Sequence, residues 1–159
     1  MEIRTGIGYD VHRLEPGRPL VLGGVPIESP FGLDGHSDAD VVLHAIGDAL
    51  LGAATLGDLG EHFPPHDTKW KNASSLELLG LIRALVEGRG YRITYVDTSV
   101  IAEVPRIAPH REAMRVNIGR ALKLGIESVS VKATTNERLG ALGRGEGIAA
   151  LAVATVERQ

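Results

Sequence analysis

The first half of this 159-residue chain gathers side chains that can hold a metal ion. Seven of its eight Asp lie between Asp10 and Asp67, and five of its six His lie between His12 and His66. Solvated surface charge would be spread more evenly. In Asp10-Val11-His12 the first and third residues project to the same side of a strand. Asp40, His44 and Asp48 are spaced by four, so on a helix His44 shares a face with each neighbour. Two imidazoles and one carboxylate with a fourth position open form the ligand set of a catalytic zinc-type site. Asp40 or Asp48 would then be available to orient the imidazoles. Either piece alone also suits a hydrogen-bonded histidine beside a solvated helix face. Their coincidence in one Asp- and His-dense half favours the metal.

A second group comes from the other half. Lys132-Ala133-Thr134-Thr135-Asn136-Glu137 leads into a Gly-rich stretch that ends Gly143-Arg144-Gly145. Two hydroxyls, a carboxylate and backbone amides freed by glycine can serve phosphate oxygens and a divalent cation. An arginine between two glycines can approach an anion closely. A capped turn between two strands is the plainer alternative. Phe63-Pro64-Pro65-His66-Asp67 reads as a lid within a long loop, and long loops in compact domains are usually functional. Ala102-Glu103-Val104-Pro105-Arg106-Ile107 follows a strand and could offer main-chain groups to a base.

These groups need elements to position them. Residues 2–9 alternate as a strand, and 18–28 carry Gly-Gly between apolar pairs, a hairpin signal. Residues 29–37 are loop by composition. A helix follows over 38–54, with Asp38 as its cap. Another opens at Ser74 or Ser75 and runs to about Glu87, with Ser74 and Glu77 at capping-box spacing. Strands are expected over 91–102 and 128–135, a helix over 108–123 and a Gly-rich loop over 136–147. Residues 148–156 (IAALAVATV) close the chain as a strand that is apolar on both faces, with a helix as the alternative. Such a strand needs cover on both faces. Three helices cover one face of a sheet of about four strands, so the other face calls for further subunits. The fold class is therefore α+β: a two-layer sandwich of a mixed sheet with helices on one face plus a small hairpin.

Composition narrows the function. A net charge of −3, from 17 Lys and Arg against 20 Asp and Glu, argues against a generally basic nucleic-acid binder. With no Cys there is no disulfide framework, thiolate nucleophile or thiolate metal ligand. No apolar run reaches the roughly 18 residues of a membrane span, and the N-terminal residues lack a signal-peptide layout. A cytoplasmic protein without membrane or nucleic-acid partners is the expectation.

Four segments together resemble one enzyme family. They are GIGYDVH (6–12), DGHSDADVVLHAIGDALLGA (34–53), GDLG with the following Phe-Pro (57–64), and KATTNERLG with GRGEGI (132–148). In this combination and order, over nearly the whole chain, they closely resemble the 2-C-methyl-D-erythritol 2,4-cyclodiphosphate synthases of the non-mevalonate isoprenoid pathway. The resemblance implies a single synthase domain over 1–159 and a homotrimer with active sites between subunits. It implies that Asp10, His12 and His44 hold a divalent metal, usually zinc, whose fourth ligand is the substrate's diphosphate. By the same resemblance His36 and Thr135 stabilise the transition state. Ser37 belongs to the family's His-Ser pair, Asp58 and Gly60 hold the erythritol hydroxyls, and Phe63 through Asp67 form the Phe-Pro segment. Ala102, Pro105 and Ile107 belong to a cytosine pocket read by backbone. Thr134 and Glu137 bind phosphate and a second ion, magnesium or manganese, and Arg144 binds phosphate. Pro65 and His66 depart from the Asp-Thr that many members carry, and Ala141 stands where many have Phe.

The implied substrate is 4-diphosphocytidyl-2-C-methyl-D-erythritol 2-phosphate, which cyclises with release of CMP. Two other readings of the residues stay open. One is a zinc hydrolase using Asp48 or Asp58 as base. The other is a non-enzymatic diphosphate-binding trimer with Arg144 facing its axis.

Overall fold

A computed structural model describes all 159 residues. Its centre is a mixed five-stranded sheet in the order β4-β1-β7-β5-β6. These strands are β1 (Ile3–Pro16), β4 (Phe31–Leu33), β5 (Tyr91–Ile101), β6 (Val129–Thr134) and β7 (Gly147–Arg158). β2 (Leu20–Leu22) and β3 (Val25–Ile27) form the separate hairpin. Helices α1 (Val41–Ala53), α3 (Ser75–Gly88) and α4 (Arg111–Leu122) cover one face, and the short turns α2 (Leu59–His62) and α5 (Gly140–Gly143) sit in loops. The α+β sandwich with its hairpin is as the sequence indicates. The sheet has one strand more than the four expected. The extra strand, β4, lies in a stretch that reads as loop, because three residues with a central glycine carry no alternation. It pairs with the far end of β1, Leu14 opposite Leu33.

β1 is also longer than residues 2–9. Its inward positions Asp10 and His12 are polar, which hides the alternation, yet pairing with β7 runs unbroken from Ile3 opposite Glu157 to Arg13 opposite Gly147. The closing segment is a strand. Ile148, Ala150, Ala152, Ala154 and Val156 are buried on the helix side, whereas Leu151 and Val153 look out from the other face. Ile3, Ile7, Tyr9, Val11 and Tyr95 are exposed on that same outer face, Ile7 by 73%. A soluble monomer rarely leaves so large an apolar surface uncovered.

α1 is packed all round. Ten of its residues are buried; the three that are not, His44, Asp48 and Gly52, fall at spacings of four and form one stripe. Its cap differs from expectation. The helix begins at Val41, and the capping side chain is Asp40, not Asp38. Asp40 is fully buried, and its carboxylate accepts N–H bonds from Leu43 (3.1 Å), Gly23 (2.9 Å) and Gly24 (2.7 Å). It thus ties the hairpin turn to the helix start. Burial pushes its carboxyl up, to about 6, against the pull of the Gly24 and Leu43 amides. Asp40→Asn sets an NH₂ against a buried N–H donor. It should destabilise the fold by about 2–3 kcal/mol, read as a lower urea midpoint with unchanged slope.

The capping box at α3 does not form. Ser74 makes no side-chain cap bond, and the Ser75 N–H is taken instead by Asp38 Oδ2 at 2.9 Å. A long-range carboxylate thus serves the helix start at Ser75, a different amide from the Glu77 N–H that a capping box would engage.

Candidate metal centre and active site

The glycines of β1 decide how close α1 comes. A Cβ at Gly6 would stand 2.0 Å from the Ala49 carbonyl oxygen, and one at Gly8 would stand 1.9 Å from that of Ala45. Helix backbone therefore lies directly on the strand. Asp10 and His12 follow on the same side of β1 by alternation, and His44 precedes Ala45 on the helix. The three side chains meet. Asp10 Oδ2 is 3.0 Å from His12 Nε2 and 3.0 Å from His44 Nδ1. The rings stand edge to face with centroids 5.6 Å apart. One ligand atom from each residue falls within 4.8 Å of the others.

The surroundings fit a cation at this point. His12 Nδ1 lies 2.6 Å from the Asp34 carbonyl, which can only accept, so Nδ1 carries the proton and Nε2 turns its lone pair toward Asp10. Arg18 steadies that loop through Asp34 Oδ1 (3.2 Å) and the Gly35 carbonyl (3.1 Å). Two acceptors facing each other are relieved by a metal or a proton. The hydrogen bond to Asp10 accordingly raises the His12 pKa against the effect of burial. Burial disfavours the Asp10 carboxylate, but the bonds and charge that both imidazoles supply when protonated outweigh this and hold it down at about 2.

The centre opens into a cavity of about 320 Å³. Of the residues singled out from the sequence, Asp10, His12, His36, Ser37, His44, Gly60 and Phe63 line it. Gly35, Asp48, Leu59, Pro65, Trp70 and Leu78 complete the wall. Pro65, one of the departures, thus faces the cavity, whereas His66 does not. Phe63 packs edge-on against Trp70, centroids 4.9 Å apart. Asp58 and Asp67 cap short turns, accepting from Glu61 and Lys69 at 3.0 Å each.

Neither Asp40 nor Asp48 orients an imidazole. Asp40 is turned away to the hairpin, and Asp48 Oδ1 accepts the Leu59 N–H at 2.9 Å, fastening the start of α2 to α1. Burial raises the Asp48 pKa, opposed by the Leu59 amide and reinforced by the charges of Asp58 and Asp10. The group behind His44 is Ser75, whose Oγ is 3.0 Å from Nε2. Sequence reading gives Ser75 only as a helix start, because the 31 residues separating it from His44 carry no periodic signal.

The second group forms at the same end of the sheet but outside this cavity. The Ala102 N–H donates to the Thr134 carbonyl at 3.0 Å, and Glu103 Oε1 accepts from Asn136 N (3.0 Å) and Arg138 N (3.2 Å). The segment holding Ala102, Pro105 and Ile107 is therefore joined to the one holding Thr134, Thr135 and Glu137. Thr135 Oγ1 accepts the Glu137 N–H at 3.1 Å. Arg144 pairs with Glu146 at 3.1 Å and is otherwise exposed. His12 is opposite Ile148, Ala149 opposite Ile101, and Ile101 opposite Thr134. Three strand spacings, about 14 Å, separate the two groups.

A closed structural zinc site has four protein ligands, whereas a site of three at a cavity wall is that of a metal-dependent enzyme. A model of the YgbB family matches residues 3–157, and the chain belongs to that family. The chain is 60% identical over 151 residues to the 2-C-methyl-D-erythritol 2,4-cyclodiphosphate synthase of Symbiobacterium thermophilum, spanning 95% of this chain and 96% of that one. Among solved structures, the bifunctional IspDF of Campylobacter jejuni superposes with a TM-score of 0.96 at 44% identity. That match covers 99% of this chain and 43% of the longer one. A CDP complex of IspF from Plasmodium falciparum superposes with a TM-score of 0.86 at 34% identity, covering 99% and 97%.

Proposed function

We propose that the chain converts 4-diphosphocytidyl-2-C-methyl-D-erythritol 2-phosphate to 2-C-methyl-D-erythritol 2,4-cyclodiphosphate and CMP. The single observation that carries this is the Asp10–His12–His44 centre at the wall of a cavity, in a chain 60% identical to a synthase of that name. The 2-phosphate attacks the β-phosphorus of the same molecule's diphosphate, a P–O bond forms, and the bond to CMP breaks. An ionised phosphate needs no base to attack, which agrees with a site whose carboxylates are occupied by imidazoles and backbone amides. Phosphoryl transfer asks mainly for positioning and charge neutralisation.

Asp10, His12 and His44 would hold zinc, by their donor set. Bound there, the ion neutralises diphosphate charge and aligns it for in-line displacement. Gly60 and Asp58 would take the erythritol hydroxyls, and Phe63 and Asp67 belong to the same side of the substrate. His36 and Ser37 face the cavity where the transferring group would lie. Ala102, Pro105 and Ile107 would receive the cytosine through their backbone; the CDP complex of the Plasmodium falciparum relative supports a cytidine ligand. Thr134 and Glu137 would bind the diphosphate with a second ion, magnesium or manganese, Arg144 would add its charge, and Thr135 would donate to the shifting phosphoryl oxygens.

No single copy places these two groups together, since about 14 Å of sheet lies between them. A ring of copies would. A homotrimer that buries the apolar outer face of β1, β7 and β5 can set the β6 end of one copy against the cavity of the next. No helix is long and apolar enough to cross a membrane, and the reading is of a cytoplasmic enzyme.

Coupled measurement of CMP release and product NMR tests the reaction. A cyclic product supports it; an open-chain product would indicate a metal-dependent hydrolase, and binding without CMP would indicate a carrier. Thr135→Val should lower kcat and kcat/KM together by about 100-fold, roughly 3 kcal/mol, with metal content unchanged. A rise in KM at constant kcat would make Thr135 a ground-state binder.

A further inference from the structure

We infer that Ser75 and Asp38 are positioning residues for the metal centre, dictating which nitrogen of His44 carries the proton. The inference rests on reading Asp10, His12 and His44 as metal ligands. Asp38 lies in the loop before α1 and accepts twice from Ser75, the buried first residue of α3. Its Oδ2 takes the Ser75 N–H at 2.9 Å, and its Oδ1 takes the Ser75 hydroxyl proton. A carboxylate can only accept, so the hydroxyl proton is committed and Ser75 Oγ offers only lone pairs elsewhere. His44 Nε2 is 3.0 Å from that oxygen and must therefore bear hydrogen. Nδ1 is left bare, and Nδ1 is the atom 3.0 Å from Asp10 Oδ2. Ser75 is only 1% exposed, so water cannot take over the role.

One other hydroxyl is near. Ser37 Oγ lies 3.3 Å from the same nitrogen and accepts the Ala39 N–H at 3.2 Å. No protein acceptor holds the Ser37 proton, so Ser37 can donate to His44 or accept from it and selects neither tautomer. Ser75 backed by Asp38 does select one. By engaging the His44 N–H, this pair also leaves the Ser37 hydroxyl available to the cavity. One carboxylate thus anchors α3 to the loop before α1 and sets the hydrogen-bonding sense of a chain ending at the metal.

The test uses the full chain with zinc as the probe. Imidazole ¹H–¹⁵N correlation of the zinc-loaded wild type should show His44 protonated at Nε2 and metal-bound through Nδ1; the reverse assignment overturns the inference without any variant. By chelator competition, Ser75→Ala should weaken zinc about 10–100-fold. Ser75→Thr, which keeps the hydroxyl, should restore most of that loss. Asp38→Ala, which removes the acceptor and frees the Ser75 hydroxyl proton to turn onto His44, should cost a similar factor. The Ser75→Ala/Asp38→Ala double variant should be no weaker than Ser75→Ala alone, since both act on His44 through one hydroxyl. A purely structural role would lower the melting temperature and leave the His44 Nε2–H signal and zinc affinity as in wild type. His44→Ala separates the two readings: if it binds zinc normally the metal assignment fails, and if it loses zinc while Ser75→Ala keeps it, only the positioning role fails.

Discussion

Replacing His44 by alanine should strip the chain of its divalent metal and abolish turnover while the fold persists. The three ligands come from one strand and one helix, and the remaining pair, Asp10 and His12, cannot close a tetrahedral set. The loss of affinity should exceed the roughly 10–100-fold attached to outer partners of a ligand. A metal that neutralises a reacting diphosphate contributes about 4 kcal/mol, or roughly 10³ in rate. His12→Ala should behave alike, and metal analysis after dialysis is the check. A full equivalent retained in both variants rules out the assignment. The centre also has a characteristic pH response. His12 must be neutral to bind metal, and Asp10 raises its pKa above the ordinary 6.5. Metal affinity should therefore fall as pH drops through that raised value. Fold stability in the metal-free chain runs the other way. The His12–Asp10 contribution is fully present below 6.5 and is lost as pH rises through the raised value.

Gly8→Ala should be the most damaging single methyl addition in the molecule. The new Cβ would lie 1.9 Å from the Ala45 carbonyl oxygen and 2.9 Å from the Ala49 nitrogen, both helix backbone. No rotamer change relieves a backbone clash. Restoring an ordinary C···O contact needs α1 to retreat on the order of 1.4 Å. The helix is buried on every side but one stripe, so its retreat opens voids as well. A loss of about 4 kcal/mol or more is expected, with metal content falling in step because His44 moves with Ala45. Gly52→Ala on the same helix is the control. Nothing lies within 4 Å of its added Cβ, and it should stabilise by up to about 1 kcal/mol through helix propensity. Chemical denaturation of the two variants, with zinc content measured on the same samples, gives the comparison.

Much of this centre is legible in one dimension, because each of its two halves obeys a local period. Asp10 and His12 share a strand face, and His44 and Asp48 share a helix face. The clustering of Asp and His in one half of the chain hints that these faces meet. The partners that set hydrogen-bonding sense are not legible. Ser75 reaches His44 across 31 residues, Asp34 serves His12 through a main-chain oxygen that any residue type would supply, and Asp38 trades the cap expected of it for a distant serine. The short β4 and the far half of β1 were hidden for a related reason. A three-residue strand has no period, and polar ligands on the inward face look like a strand that has ended. The role of Gly6 and Gly8 is likewise invisible without the helix that presses on them.

The separation of the two residue groups across three strands has a genetic consequence. If each working site takes its cavity from one copy and its Thr135 hydroxyl from the next, a lesion disables a half-site rather than a chain. A His44→Ala chain still lends its neighbour an intact Thr135, and a Thr135→Val chain still offers an intact metal centre. Refolded together in equal amounts, two nearly inert variants should then produce rings in which about one quarter of the sites join two undamaged halves. Activity would reappear on mixing, and two lesions that complement in the mixture would show none when carried on the same chain.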